Sequence, residues 1–290
     1  TGEGLVRGCA CGDRDGVASG TTGIAHVSCL AEQAKILCAE AEENNLDDKV
    51  KDARWRRWDT CSLCEQRYHG VVCCALGWAC WKTYLGRPEG NWTRRTAMQQ
   101  LGCGLAVAGH NEDALSVMEA HLSMQQRQGA PERDILCAQN NLANMYAILR
   151  RREAVHMFQK VYLRSLELYG ASSKETIDTA RNYINFHLNL RYWEGAKRLS
   201  HKWVPVAQRV LGEHSETTLR MRWDSAKALY RNPDATLDDL REAVTTLEDV
   251  TRIARRVFGG AYPLTVNIEE ELRDARAALA AREGDDVSSV

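Results

Sequence analysis

The feature that most constrains this chain is a repeat. Glu112-Asp113-Ala114, Arg152-Glu153-Ala154, Glu194-Gly195-Ala196 and Arg241-Glu242-Ala243 share one pattern, with alanines 40, 42 and 47 residues apart. Gly86, Gly129, Gly170, Gly212 and Gly259 keep the same beat, at 43, 41, 42 and 47. Both series lengthen at the last step, where residues 231–236 read as an inserted loop. Each unit holds two helix-length apolar patterns: 135–149 with 153–168, then 175–190 with 193–211. Polar or glycine-bearing turns separate them. A helix pair of this size cannot bury its apolar face alone, so stacked pairs forming an α-solenoid are predicted. A small Ala at one place in each second helix allows close helix contact. A charged final helix over 264–282 suits a cap with one wet face, and residues 284–290 read as a frayed tail.

Cysteines divide the chain. Nine of eleven fall before residue 81, leaving Cys103 and Cys137 in the repeats. The count is odd and no secretory signal is read, so reduced thiols in an intracellular, cytoplasmic setting are expected rather than a disulfide framework. With 38 basic against 39 acidic residues, the net charge of −1 argues against a nucleic-acid partner. No apolar run reaches the roughly 18–20 residues of a membrane span. The chain lacks a Gly-rich phosphate loop, a G-x-S-x-G elbow and an H-E-x-x-H helix, so it offers no catalytic residues of its own.

The repeats resemble the tetratricopeptide (TPR) repeats of kinesin light chains. Leu211-Gly212-Glu213-His214-Ser215-Glu216-Thr217-Thr218-Leu219 matches their turn, Asn141-Leu142-Ala143 their helix, and Gly259-Gly260-Ala261-Tyr262-Pro263-Leu264-Thr265 is a looser copy of the turn. The first half resembles the RING-CH family of ubiquitin ligases. Cys9-x-Cys11, a turn at Gly20-Thr21-Thr22-Gly23, His26-x-x-Cys29-Leu30, a helical stretch and Cys61-x-x-Cys64 come in that family's order. The resemblance implies Zn²⁺ as cofactor and a cross-braced ligand set. Cys9, Cys11, Cys61 and Cys64 would share one zinc, and His26 and Cys29 would be half of a second site whose other pair lies upstream. His69 is an alternative ligand or a hydrogen-bonding side chain. A ubiquitin-conjugating enzyme is the partner so implied. The chain departs from the pattern in a long 12–20 loop, in Ala31-Glu32-Gln33 where a Trp often follows Cys-Leu, and in having no Pro after Cys64.

The expected organisation is mostly α: a small RING-like zinc module (1–70), a linking helix (71–92) and a TPR-type α-solenoid (93–283). Cys38, Cys73, Cys74 and Cys80 are expected in the core, and Trp55, Trp58, Trp78 and Trp81 are expected to dock the linking helix between module and solenoid. Aligning first helices on Gly102, Ala143, Ile184 and Ala226 puts Gln99, Cys103, Asn140, Asn144, Arg181, Asn185, Trp223 and Lys227 on a groove for an extended peptide. Asn amides suit a peptide backbone, and Arg181 and Lys227 suit an acidic segment. Two functions follow: an adaptor that chooses substrates for a RING-CH-type ubiquitin ligase, or a non-catalytic TPR scaffold whose zinc is structural.

Overall fold

Helix stop signals set the architecture, and they coincide with the glycine marker. In this computed structural model, which describes residues 4–9, 11 and 23–288, Gly129, Gly170, Gly212 and Gly259 follow the ends of second helices with φ of 61° to 91°. A residue with a Cβ is penalised in that left-handed region, so glycine recurs once per unit. Packing divides the chain into two units, Thr1–Arg151 and Arg152–Val290.

The first unit opens on a two-stranded antiparallel ribbon, β1 (Val6–Arg7) with β2 (Ile24–Ala25), in which Val6 faces Ala25. Helices α1 (Val27–Glu43) and α2 (Asp48–Trp55) follow, then a 3-10 turn at Arg56–Trp58. Asp47 starts α2 by accepting from the Val50 N–H at 3.0 Å. Four more helices complete the unit: α3 (Gly70–Tyr84), α4 (Trp92–Val107), α5 (Asn111–Arg127) and α6 (Glu132–Ile148). Sequential helices pack, and α4 also touches α6, so first helices stack on first helices.

The linking helix is a full packing partner of α4. A Cβ on Gly104 would lie 2.9 Å from the Cys73 carbonyl oxygen, and one on Gly77 would lie 3.0 Å from that of Gln100. The two backbones therefore meet without side chains between them. Around this contact α3 buries Val72, Cys73, Leu76, Cys80 and Tyr84. Trp58 is fully buried against Tyr84, and Trp55 packs on Tyr84 and Trp92 at 5.2 and 5.1 Å. Arg87 clamps Glu42 of α1 with bonds of 2.8 and 2.7 Å. Trp78 departs from the expected docking role and is 43% exposed. It lies roughly 200° round the helix from Leu76, off the buried face. Cys38, Cys73 and Cys80 are buried and Cys74 is half-buried.

Among the described residues the second unit has six helices: α7 (Glu153–Tyr169), α8 (Lys174–Asn189), α9 (Trp193–Leu211), α10 (Glu216–Tyr230), α11 (Leu237–Phe258) and α12 (Pro263–Ser288). Here too α8 touches α10 and α10 touches α12. Ser173 caps α8 by accepting from the Thr176 N–H, and Thr236 with Asp239 forms a capping box at α11. The longer last period is partly loop and partly helix, since α11 has 22 residues against 17 in α7. The last helix runs on to Ser288, past residue 282. Ala114, Ala154, Ala196 and Ala243 are at most 1% exposed, as the repeat pattern predicts for tight helix contacts. Trp203 lies in the second unit's core and donates to the Tyr162 hydroxyl at 3.1 Å.

Two predictions follow from this packing. Gly104→Ala forces the α3 and α4 backbones apart and should cost about 1–3 kcal/mol in denaturant unfolding. Gly86→Ala, whose Cβ meets nothing within 4 Å, should leave the midpoint nearly unchanged. The second concerns His121, buried in α5, whose pKa falls to about 4 because burial disfavours the charged ring. The unfolded ring binds its proton near pH 6.5 and the folded ring does not. Stability is therefore full above pH 6.5 and drops as pH falls toward 4, by something on the order of 1–3 kcal/mol. His121→Leu should flatten the pH dependence of the melting temperature in that window.

Candidate metal centre and repeat faces

Two short backbone devices carry the cysteines. Cys9 and Cys11 follow β1. Cys61 and Cys64 lie inside a tight loop closed by a bridge between Thr60 and Arg67. In that loop the Cys61 N–H donates to the Gln66 carbonyl at 2.9 Å and the Glu65 N–H to that of Cys61 at 3.0 Å. Glu65 takes a φ of 57°, which turns the loop back on itself. The two segments are tied by the His69 N–H, which donates to the Gly8 carbonyl at 3.0 Å.

These devices bring four sulfurs together. Cys9 Sγ lies 3.4 Å from Cys11 Sγ, and Cys11 Sγ lies 3.5 Å from Cys61 Sγ. All four, with Cys64, lie within 4.8 Å of one another. None is in a disulfide, and the first three are at most 5% exposed. Four thiolates around zinc at ~2.3 Å would have S–S edges of about 3.8 Å, so the set fits a tetrahedral metal ion. Their electrostatics point the same way. The Cys61 thiol, hydrogen-bonded to Cys9, is pulled down to about 4, while the same bond pushes Cys9 well up, and burial pushes Cys11 up to about 12. Only part of the cluster ionises by itself. A divalent cation supplies the charge that four adjacent thiolates require.

Other sequence candidates stand apart. His26 and Cys29 sit at the start of α1 with Nδ1 and Sγ 3.8 Å apart, and Cys29 is exposed. Among the described residues no third ligand joins them. His69 precedes α3 and is not one of the four, and burial lowers its pKa. The Gly20-Thr21-Thr22 part of the expected turn and the 12–20 loop lie outside the described residues. Gly23, its last member, has a role that spacing alone did not show. Its φ is +76°, and a Cβ there would sit 2.8 Å from Cys11 Cβ and 3.2 Å from Cys9 Sγ. It closes one wall of the cluster, and its place in the expected Gly-Thr turn was the available signal.

The predicted peptide-binding positions are half-buried. In the first unit the Asn144 amide donates to the Asn140 carbonyl at 2.8 Å, within its own helix. In the second unit Arg181 Nε lies 3.8 Å from Asp224 Oδ2, and Lys227 Nζ lies 4.6 Å from the Trp223 ring and 3.9 Å from Glu271 Oε1. Asp224 is 2% exposed, and burial raises its pKa and lowers that of Arg181. The two cations thus already face acids of their own, which the first-helix alignment did not include. The signal for Asp224 was an acid one residue past the predicted Trp223.

No model of a known protein family matches the chain, and no curated protein matches it. Solved structures do. The chain is similar to kinesin-light-chain, nearly identical TPR-like repeats from Podosopora anserina, at 15% identity over 80% of this chain and 97% of that one, with a TM-score of 0.47. It is also similar to BtubC (BKLC) from P. vanneervenii, at 14% identity over 88% and 92%, with a TM-score of 0.46. Among the described residues no helix is long and apolar enough to cross a membrane.

Gly23→Ala should weaken metal binding roughly ten- to hundredfold, as loss of a supporting contact around a metal typically does. Competition with a chromophoric chelator measures it, and an unchanged affinity would separate Gly23 from the site.

Proposed function

We propose that this chain is a zinc-stabilised protein-interaction adaptor of TPR type, working in a reducing intracellular compartment. The carrying observation is the convergence of four thiols, none in a disulfide, within 4.8 Å, in the same packed unit as helices α4–α6 of the repeats. Cys9, Cys11, Cys61 and Cys64 would hold the metal through four protein ligands, which leaves no open position for chemistry. The metal's contribution is then folding free energy. Recognition falls to the first helices of each unit taken by itself: Asn140 and Asn144 in the first offer amides, and Arg181, Asn185, Trp223 and Lys227 in the second offer an amide, an indole and cations, to an extended peptide segment. The acids beside Arg181 and Lys227 favour a partner with mixed polar groups over a purely acidic one.

Metal analysis tests the first half of this reading. One zinc per chain is expected, with loss of both zinc and several degrees of melting temperature in Cys61→Ser. Metal-free protein that melts at the same temperature as zinc-loaded protein would contradict it. Peptide arrays test the second half. Asn144→Ala and Asn185→Ala should weaken captured peptides several-fold while costing no more than about 1 kcal/mol of stability, the usual net worth of one hydrogen bond. Ala154→Leu should instead cost roughly 1–3 kcal/mol by overpacking.

A second reading is a RING-CH-type ubiquitin ligase that positions a conjugating enzyme. What favours it is the apolar surface near the cysteine loops: Leu5, Leu63 and Val71 are 64%, 68% and 74% exposed. Weak or no ubiquitin-chain formation with a panel of conjugating enzymes is expected, given the missing Trp and Pro positions. Robust chain formation that Leu63→Ala abolishes would establish the ligase reading.

A further inference from the structure

The first unit holds a polar cavity that neither the thiol cluster nor the helix packing uses. It lies among α4, α5, α6 and the middle of α2 and measures about 360 Å³. Two of its lining residues, His121 and Gln125 of α5, are each 3% exposed. The His121 ring is neutral and hydrogen-bonds to the Arg95 backbone, so one ring nitrogen donates and Nε2 is left to accept. Gln125 Nε2 fills that place at 2.9 Å. The bond fixes the Gln125 amide with its oxygen turned from the ring, and that buried Oε1 has no hydrogen-bond partner. Buried acceptors are normally paired, because leaving one unmade is costly.

The charges nearer the opening select what kind of donor fits. Arg95 faces Asp134 at 3.6 Å, and Asp52 and Arg133 add one charge of each sign. With His121 neutral the lining has a formal net charge of zero. An ammonium or carboxylate from a ligand would lose hydration there without a net opposing charge to replace it. A neutral group with a donor beside an acceptor matches both ends. Its N–H would meet Gln125 Oε1, and its carbonyl would face the guanidinium side. Gln99 lines the same cavity and occupies the register position of Asn140 in the next first helix, so the cavity adjoins the predicted peptide-binding face.

We propose that this cavity is a subsite for a carboxamide side chain, Gln or Asn, of a peptide bound along the repeats. The proposal rests on the peptide-binding reading and adds a residue preference to it. The test uses full-length protein and pentapeptides Ala-Ala-X-Ala-Ala, acetylated and closed by an N-methylamide so that no terminal primary amide competes. X is Gln, Asn, Glu, Lys or Leu. Binding is followed by NMR at the Gln125 side-chain amide and at Thr96 and Gln99. Gln and Asn peptides should shift those resonances and bind at least fivefold tighter than the other three. Gln125→Leu should reduce that preference below twofold. If Gln125→Leu does not fold, Thr96→Val on the cavity wall serves instead, and should weaken the Gln peptide more than the Leu peptide. Equal binding of all five, preference for a charged X, or shifts confined to water exchange at the cavity would overturn the proposal. Binding that maps to α8 and α10 alone would overturn the subsite and leave the peptide-binding reading standing. No binding of any peptide at millimolar concentration would overturn both.

Discussion

The first unit depends on the place where α3 and α4 touch backbone to backbone. Gly77 and Gly104 leave no room for a side chain between the two helices, and a Cβ on either would press on the other helix's main chain. On the cysteine side, α3 packs against both the thiol loops and α1. Val72, Cys73 and Leu76 pack beside Cys9, Cys11 and Cys61, while Cys80 and Tyr84 pack beside Trp58 and Ala34. Everything on the repeat side is built on α4, which carries α5. A metal at the four thiols would therefore brace the helix that the first repeat leans on. Metal binding and the packing of the first repeat would then be parts of one mechanical arrangement.

The legible part of the fold was the part with a period. Each unit needs a small residue where second helices cross and a positive-φ glycine where they stop, so Ala154, Ala196, Gly170 and Gly212 recur at fixed spacing. The thiol cluster was legible for a different reason. Short spacings let one turn present two ligands, so Cys9 with Cys11 and Cys61 with Cys64 declared themselves as pairs, and the RING-CH resemblance supplied their mutual pairing. Contacts that occur once carry no such signal. Gly77 and Gly104 look like weak points in helices until the facing backbone is seen. Gly23 looks like an ordinary turn residue until its φ and the adjacent sulfurs are known. Trp78 carries the same docking expectation as the other tryptophans, and the buried face of α3 excludes it. Asp224 was hidden because a buried acid has meaning only beside Arg181, more than forty residues away in sequence.

The chemistry of the thiol cluster also narrows the function. Sulfurs this close cannot all ionise without a cation, and a cation held by all four has no site left for water or substrate. A metal held by all four thiols would therefore have a structural role. The polar positions of α6, α8 and α10 are half-buried and already engaged within the chain, Asn144 with Asn140, Arg181 with Asp224 and Lys227 with Glu271. In α5 the buried His121–Gln125 pair leaves one acceptor, Gln125 Oε1, without a partner.

Hydrogen exchange on the full chain, with and without a strong chelator, tests the central claim most directly. If the metal braces the first repeat through α3, chelation should speed exchange in the cysteine loops, in α3 and in α4 together, and leave α8–α12 protected. Faster exchange confined to residues 4–69, with α3 and α4 as protected as before, would contradict the account.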